Sequence, residues 1–168
     1  MEIERKYLLN YMPGDLEQYH YKKIEQGYLC HNPIIRIRKS NDDFYLTYKS
    51  KFGLEQHNNN RALVNDEVEL PLTKEAYELL TTKTEGNMVY KTRYLIPIKD
   101  GLTAELDVFE GILSGLIFTE VEFPDEAAAD EFIPPSWIGR ELTSDKRFSN
   151  YYLSTLSGIQ ELEDILSQ

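Results

Sequence analysis

The chain predicts an α+β fold that is mainly antiparallel β, and three observations carry the prediction. Period-2 alternation of apolar and polar residues dominates, helical periodicity is confined to short stretches, and the charges on the strands segregate onto one face. With 168 residues the chain has single-domain length, enough to bury roughly two-thirds of its unfolded surface. No internal repeat interrupts it.

The elements follow in order. Met1 to Leu8 places Ile3 between Glu2 and Glu4, and Pro33 to Lys39 alternates Ile35 and Ile37 with Arg36 and Arg38. Phe44 to Lys51 is rich in strand-forming residues, and a polar loop at Asn58, Asn59 and Asn60 leads to Val64 to Leu72, where Val68 and Leu70 alternate with Glu67 and Glu69. Lys74 to Thr82 reads as a helix behind the capping Thr73. Met88 to Ile98 and Leu102 to Glu110 flank Asp100-Gly101, a hairpin-turn dipeptide, and Leu116 to Phe123 completes seven predicted strands. A helix over Glu126 to Phe132 starts behind Asp125, and another over Asn150 to Leu156 behind Ser149, with Pro134-Pro135 and Gly139 punctuating the stretch between. The tail from Ser157 to Gln168 reads either as a short amphipathic helix or as a frayed end.

Composition excludes several classes. Eighteen Lys and Arg against 29 Asp and Glu give a net charge of -11, so a general nucleic-acid or anionic-membrane surface would work against its own field. Cys30 is the sole cysteine, which forbids an intrachain disulfide and leaves no zinc-type ligand cluster. The first residues are charged from Glu2 onward, and no apolar run approaches the ~18 residues of a membrane span. A cytoplasmic protein is expected. His20, His31 and His57 show no ligand spacing and read as surface residues, while Trp137 reads as a packing anchor.

Side chains two apart on a strand share a face. At that spacing stand Glu2 with Glu4, Arg36 with Arg38, Glu67 with Glu69, Lys91 with Arg93, Glu105 with Asp107, and Glu120 with Glu122. A solvated outer face explains alternation but not the common sign within each pair. Given 29 acids and 18 bases, six matches out of six is roughly a one-in-fifty outcome. Like charges side by side cost stability, and an ordinary exposed face gains by mixing signs. Lys6 breaks the pattern, standing two residues beyond Glu4.

Closing the sheet with its ionic face inward gives a barrel with a polar lumen, one half acidic and one half basic, and short helices over the apolar exterior. Carboxylates without soft ligands suit a hard cation such as Mg²⁺ or Mn²⁺. Clustered Arg and Lys suit phosphate oxygens. A polyphosphate carried with a divalent metal satisfies both halves.

Glu2-Ile3-Glu4-Arg5-Lys6 is followed in order by Gln26-Gly27-Tyr28-Leu29, Ile35-Arg36-Ile37-Arg38, Leu46-Thr47-Tyr48-Lys49, Glu67-Val68-Glu69, Lys91-Thr92-Arg93-Tyr94, Glu105-Leu106-Asp107-Val108-Phe109, Glu120-Val121-Glu122-Phe123 and Thr143 to Asn150. In the opening ExExK signature and in this series the chain resembles the CYTH, or triphosphate tunnel metalloenzyme, superfamily, and most of all its short bacterial members that hydrolyse inorganic tripolyphosphate. The likeness covers about residues 1 to 156, read as one tunnel domain, and assigns no role to the extension 157–168.

The resemblance implies an eight-stranded antiparallel tunnel, a homodimer, and a divalent cation, Mg²⁺ or Mn²⁺, held by Glu2, Glu4, Asp107, Glu120 and Glu122 with Glu67 and Glu69 as acidic wall residues beside them. It implies triphosphate binding by Lys6, Arg36, Arg38, Lys49, Lys91, Arg93 and Arg147, and catalysis by Lys6 with Tyr28. Thiamine or nucleoside triphosphatase, class IV adenylyl cyclase and a non-catalytic polyphosphate binder share the same tunnel. One position departs from the pattern: Asn65 stands where relatives often carry Arg, with Arg61 nearby on a loop insertion.

Overall fold

A computed structural model describes residues 1–50 and 63–167. Lys51, His57, Asn58 to Asn60 and Arg61 fall outside the described residues. Among the described residues nine strands form one antiparallel sheet: β1 (Glu2–Leu9), β2 (His20–Cys30), β3 (Ile34–Ser40), β4 (Asp43–Ser50), β5 (Leu63–Pro71), β6 (Glu85–Pro97), β7 (Thr103–Phe109), β8 (Ile117–Glu122) and β9 (Ile138–Glu141). Their order is β5-β4-β3-β2-β6-β7-β8-β1-β9, and a further β5–β1 pairing closes the first eight into a barrel. The closing register sets Glu2 opposite Asn65 and Ile3 opposite Val64. Strand β9 lies outside the ring, paired to the far part of β1 through Tyr7 with Glu141 and Leu9 with Ile138.

Two strands, β2 and β9, go beyond the seven that alternation predicts. Strand β2 places Lys22, Ile24 and Gln26 on one side and Tyr21, Lys23 and Glu25 on the other, so neither face is greasy enough to signal a sheet. Strand β9 is only four residues long and sits in the Pro-punctuated stretch. At the β6–β7 hairpin, Asp100 and Gly101 both take positive φ, 63° and 71°, as a tight turn between right-twisted strands requires.

Among the described residues four short helices accompany the barrel: α1 (Lys74–Thr81), α2 (Glu126–Glu131), α3 (Asn150–Ser154) and α4 (Glu163–Leu166). Thr73, Asp125 and Ser149 cap the first three, each side-chain oxygen accepting from a backbone N–H three residues on. One apolar core lies outside the wall, where Ile3, Tyr7, Ile96, Leu106, Val121 and Phe123 pack with Ala129, Trp137 and Ile138. Arg5 points into this layer and is held there by Glu141, with two hydrogen bonds of 2.8 Å, and by the Ala129 carbonyl at 2.7 Å. The cover is partial, because Tyr48, Val68 and Leu70 on β4 and β5 stay exposed.

A second core stoppers one end of the barrel. Val89, Phe109 and Phe118 from the strands meet Phe148, Leu153, Leu156, Leu162 and Ile165 from the C-terminal segment. Helix α3 comes so close to β6 that a Cβ on Gly86, which has φ +68°, would lie 2.6 Å from the Ser154 carbonyl oxygen. The tail therefore belongs to the packed barrel end: a 3₁₀ turn at Ile159–Leu162 runs into α4, and Leu162 is wholly buried. No helix among the described residues is long and apolar enough to cross a membrane.

Candidate active site

The ring order sorts the bore by sign. Four neighbouring strands, β7, β8, β1 and β5, bring Glu105 and Asp107, Glu120 and Glu122, Glu2 and Glu4, and Glu67 and Glu69. The other four, β4, β3, β2 and β6, bring Lys49, Arg36 and Arg38, Lys22, and Lys91 and Arg93. Between them opens a cavity of about 340 Å³ lined by Glu2, Glu4, Glu67, Glu69, Glu105, Glu120 and Glu122 on one side and by Lys22, Arg36, Arg38, Lys49 and Arg93 on the other. The pairs two apart in sequence share this face because strand geometry alternates, and closure turns the face inward.

The two arcs meet at ion-paired seams. At β6–β7, Lys91 Nζ donates to Asp107 Oδ2 at 2.7 Å, Arg93 Nε to Asp107 Oδ1 at 2.7 Å, and Arg93 Nη1 lies 2.5 Å from Glu105. Across the other seam Lys49 pairs with Glu2 and lies 3.8 Å from Glu4. Lys6, alone in the acidic arc, sits 3.4 Å from its cross-strand neighbour Glu120 and donates to the Phe148 carbonyl at 2.7 Å.

Burial sharpens these charges. It raises the carboxyl of Glu4 to about 7, aided by Glu120 and opposed by Lys49. Burial and its contact with Glu67 raise Glu2 as well. For Glu120, burial is outweighed by Lys6 and Arg93, which hold the carboxyl well below the usual carboxylate range. Burial lowers Lys91 to about 7 despite Asp107, and lowers Arg38 to about 9 with Arg36 and Arg93 pushing the same way. The lumen is an electrostatically costly place in the absence of a compensating ligand.

The remaining predicted residues are placed less centrally. Asp107 and Lys91 are wholly buried at the seam beneath the cavity. Tyr28 is 2% exposed, its ring edge-on to Tyr151 at 5.5 Å. Tyr28 and Lys6 line a second cavity of about 240 Å³ at the stoppered end, together with Asn65, without a hydrogen bond between them among the described residues. Arg147 is on the surface, bonded to Asp145 at 2.6 Å and 2.8 Å, and lines neither cavity. His31 stacks on Tyr151 at 4.0 Å, and Trp137 is buried in the outer core. Residue-by-residue reading missed Lys22, hidden with the rest of β2, and Asn150, whose Oδ1 accepts from Lys91 Nζ at 3.2 Å and whose side chain borders both cavities. The capping Ser149 before it marked a helix start, not a site.

The donor set suits a hard cation. Every acidic group on the cavity wall offers oxygen, and the buried Glu120 Oε1 accepts no hydrogen bond among the described residues, although it faces the Lys6 ammonium. Among the described residues no three acidic side chains converge as a ready cage. A hard cation bound here would therefore need substrate phosphates and waters beside one or two of these carboxylates.

A closed barrel with a guanidinium wall facing a carboxylate wall defines a charged β-tunnel, a class of protein built to enclose a small polyanion. No protein-family model matches the chain. It is 41% identical over 158 residues to an inorganic triphosphatase of Nitrosomonas europaea, covering 91% of this chain and 96% of the relative. It is 35% identical over 158 residues to an inorganic triphosphatase of Acetivibrio thermocellus, covering 89% and 90%. A crystal structure of an inorganic triphosphatase superposes with a TM-score of 0.67 at 37% identity, over 94% of this chain and 97% of that one. A Hippeastrum protein studied as an adenylyl cyclase and found to have a dominant triphosphatase activity shares the fold, with a TM-score of 0.63 at 16% identity over 95% and 99%. This chain belongs to the inorganic triphosphatase family.

Proposed function

We propose that the protein hydrolyses inorganic triphosphate to diphosphate and phosphate inside the barrel, with Mg²⁺ or Mn²⁺ as cofactor. The observation that carries this reading is the opposition of Arg36, Arg38 and Arg93 to the carboxylates of β1, β5, β7 and β8 across one cavity. Its relatives' activity supports the same substrate.

Phosphoryl transfer requires charge neutralisation and in-line placement more than covalent chemistry. The guanidiniums of Arg36, Arg38 and Arg93 bind and orient the phosphate chain and stabilise charge on the equatorial oxygens. One or two of the carboxylates of Glu2, Glu4, Glu120 and Glu122 would hold the cation together with phosphate oxygens, with Glu67 and Glu69 beside them, while Asp107 anchors Lys91 and Arg93. When bound, the cation polarises phosphate oxygens and lowers the pKa of a coordinated water. Lys6, fixed by Glu120 and the Phe148 carbonyl, orients the attacking water or steadies the leaving group, and Tyr28 closes the same end.

Cytoplasmic location and homodimerisation complete the proposal. The lone cysteine supports a reducing compartment, and the bare Tyr48, Val68 and Leu70 face supports self-association, to be checked by sedimentation.

Purified protein incubated with tripolyphosphate, ATP or thiamine triphosphate, with Mg²⁺, Mn²⁺ or EDTA, tests the function by phosphate and cyclic AMP assays. Metal-dependent phosphate release is expected from tripolyphosphate above the others, and it is expected to collapse in folded Lys6→Ala and Glu120→Ala variants. Cyclic AMP formation, or tight binding without turnover, would overturn the proposal.

A further inference from the structure

Among the described residues the bore neutralises four of its cations internally and leaves Lys22, Arg36 and Arg38 without an ion pair, the two arginines of the β3 wall being the ones held by neutral oxygens. Lys6 faces Glu120, Lys49 faces Glu2, Lys91 faces Asp107, and Arg93 lies between Asp107 and Glu105. Arg36 and Arg38 make no ion pair among the described residues. Each is held instead by a neutral oxygen from the residue directly opposite on a neighbouring strand. Arg38 Nε and Nη2 donate to Gln26 Oε1 at 2.9 Å and 2.6 Å, and Arg36 Nη2 donates to Thr47 Oγ1 at 3.2 Å. Both acceptors are buried at 0% exposure.

The direction of the Gln26 amide follows from chemistry. A guanidinium only donates, so the atom facing it has to be the carbonyl oxygen. Among the described residues the Gln26 Nε2 is then a buried donor without an acceptor, and Arg36 Nε is another. The cluster is therefore rich in donors and short of acceptors. A carboxylate at position 26 would hold Arg38 in much the same geometry but would also cancel its charge. An amide oxygen or a hydroxyl aims the guanidinium and leaves the charge in place.

We propose that Gln26 and Thr47 are positioning residues whose neutrality sets substrate affinity: they aim Arg38 and Arg36 into the bore while keeping both charges available to polyphosphate oxygens. The proposal rests on the triphosphatase reading. It extends that reading to two residues whose side chains bond to the binding groups.

Gln26→Glu, equal in size, tests it by steady-state kinetics on Mg²⁺-tripolyphosphate beside thermal melting of the ligand-free protein. The expected result is a KM raised about tenfold or more with a melting midpoint unchanged or higher, because the new carboxylate pairs a buried guanidinium. A merely structural residue would lower the midpoint and leave KM alone, and that result would overturn the proposal. Thr47→Val, nearly isosteric and charge-free, is expected to raise KM about threefold or more through loss of one acceptor. An unchanged KM in Thr47→Val would defeat the proposal even where Gln26→Glu does not fold. If the wild-type protein neither binds nor cleaves tripolyphosphate, the reading beneath falls and the proposal with it. Equal KM values in an active wild type and folded variants reject the proposal alone.

Discussion

Replacing Glu4 by Gln should make the protein more stable and less active. Glu4 lies in the acidic arc with its side chain 13% exposed, and burial raises its carboxyl from 4.5 to about 7. A raised carboxyl means that the folded state binds the proton more tightly than the unfolded state does. Its contribution to stability is complete below pH 4.5 and is lost as pH rises through about 7. At pH 8 the native protein therefore carries an ionised group at a cost of about 3 kcal/mol. Gln keeps the shape and cannot ionise. Urea unfolding in EDTA should show Glu4→Gln more stable by about 3 kcal/mol at pH 8, the difference shrinking as pH falls and vanishing below about pH 4.5. Metal-dependent activity should fall by at least about tenfold, since an amide is a poorer cation ligand than a carboxylate. A variant less stable than wild type at pH 8, or a difference independent of pH, would show that attraction to Lys49 outweighs burial and would refute the reasoning.

Two further outcomes follow from the packing. Asp107→Asn removes the charge that holds both Lys91 and Arg93 at the seam, so denaturant unfolding should register a loss of about 3 to 5 kcal/mol, with turnover falling as Arg93 loses its aim. Leu162→Ala hollows the stoppered end of the barrel and should cost about 2 to 5 kcal/mol in the same assay, whereas a frayed tail would leave the midpoint where it was.

The charged walls were legible from the chain because strand alternation is strict. Arg36 with Arg38, or Glu120 with Glu122, must share a face, and the common sign within each pair pointed to an interior. Strand β2 escaped because Lys22, Ile24 and Gln26 on one side and Tyr21, Lys23 and Glu25 on the other mix polar and apolar residues, which leaves no greasy face to read. The seams were also invisible. Which lysine meets which carboxylate depends on cross-strand register and ring closure: the Lys91–Asp107 pair is set by the β6–β7 register, and the Lys49–Glu2 pair arises only once β5 meets β1. The tail was ambiguous for a related reason. Leu162 and Ile165 lie within very short helical turns, and their place is decided by the barrel end that they cover.

The most direct test of a bore that holds triphosphate between opposed walls is a crystal structure with tripolyphosphate and Mn²⁺, the metal located by its anomalous signal. The account predicts phosphate oxygens on the guanidiniums of Arg36 and Arg38, and Mn²⁺ between the phosphates and the carboxylates of Glu2, Glu4, Glu120 and Glu122. Tripolyphosphate bound on the outer wall, or Mn²⁺ held away from those carboxylates, would contradict it.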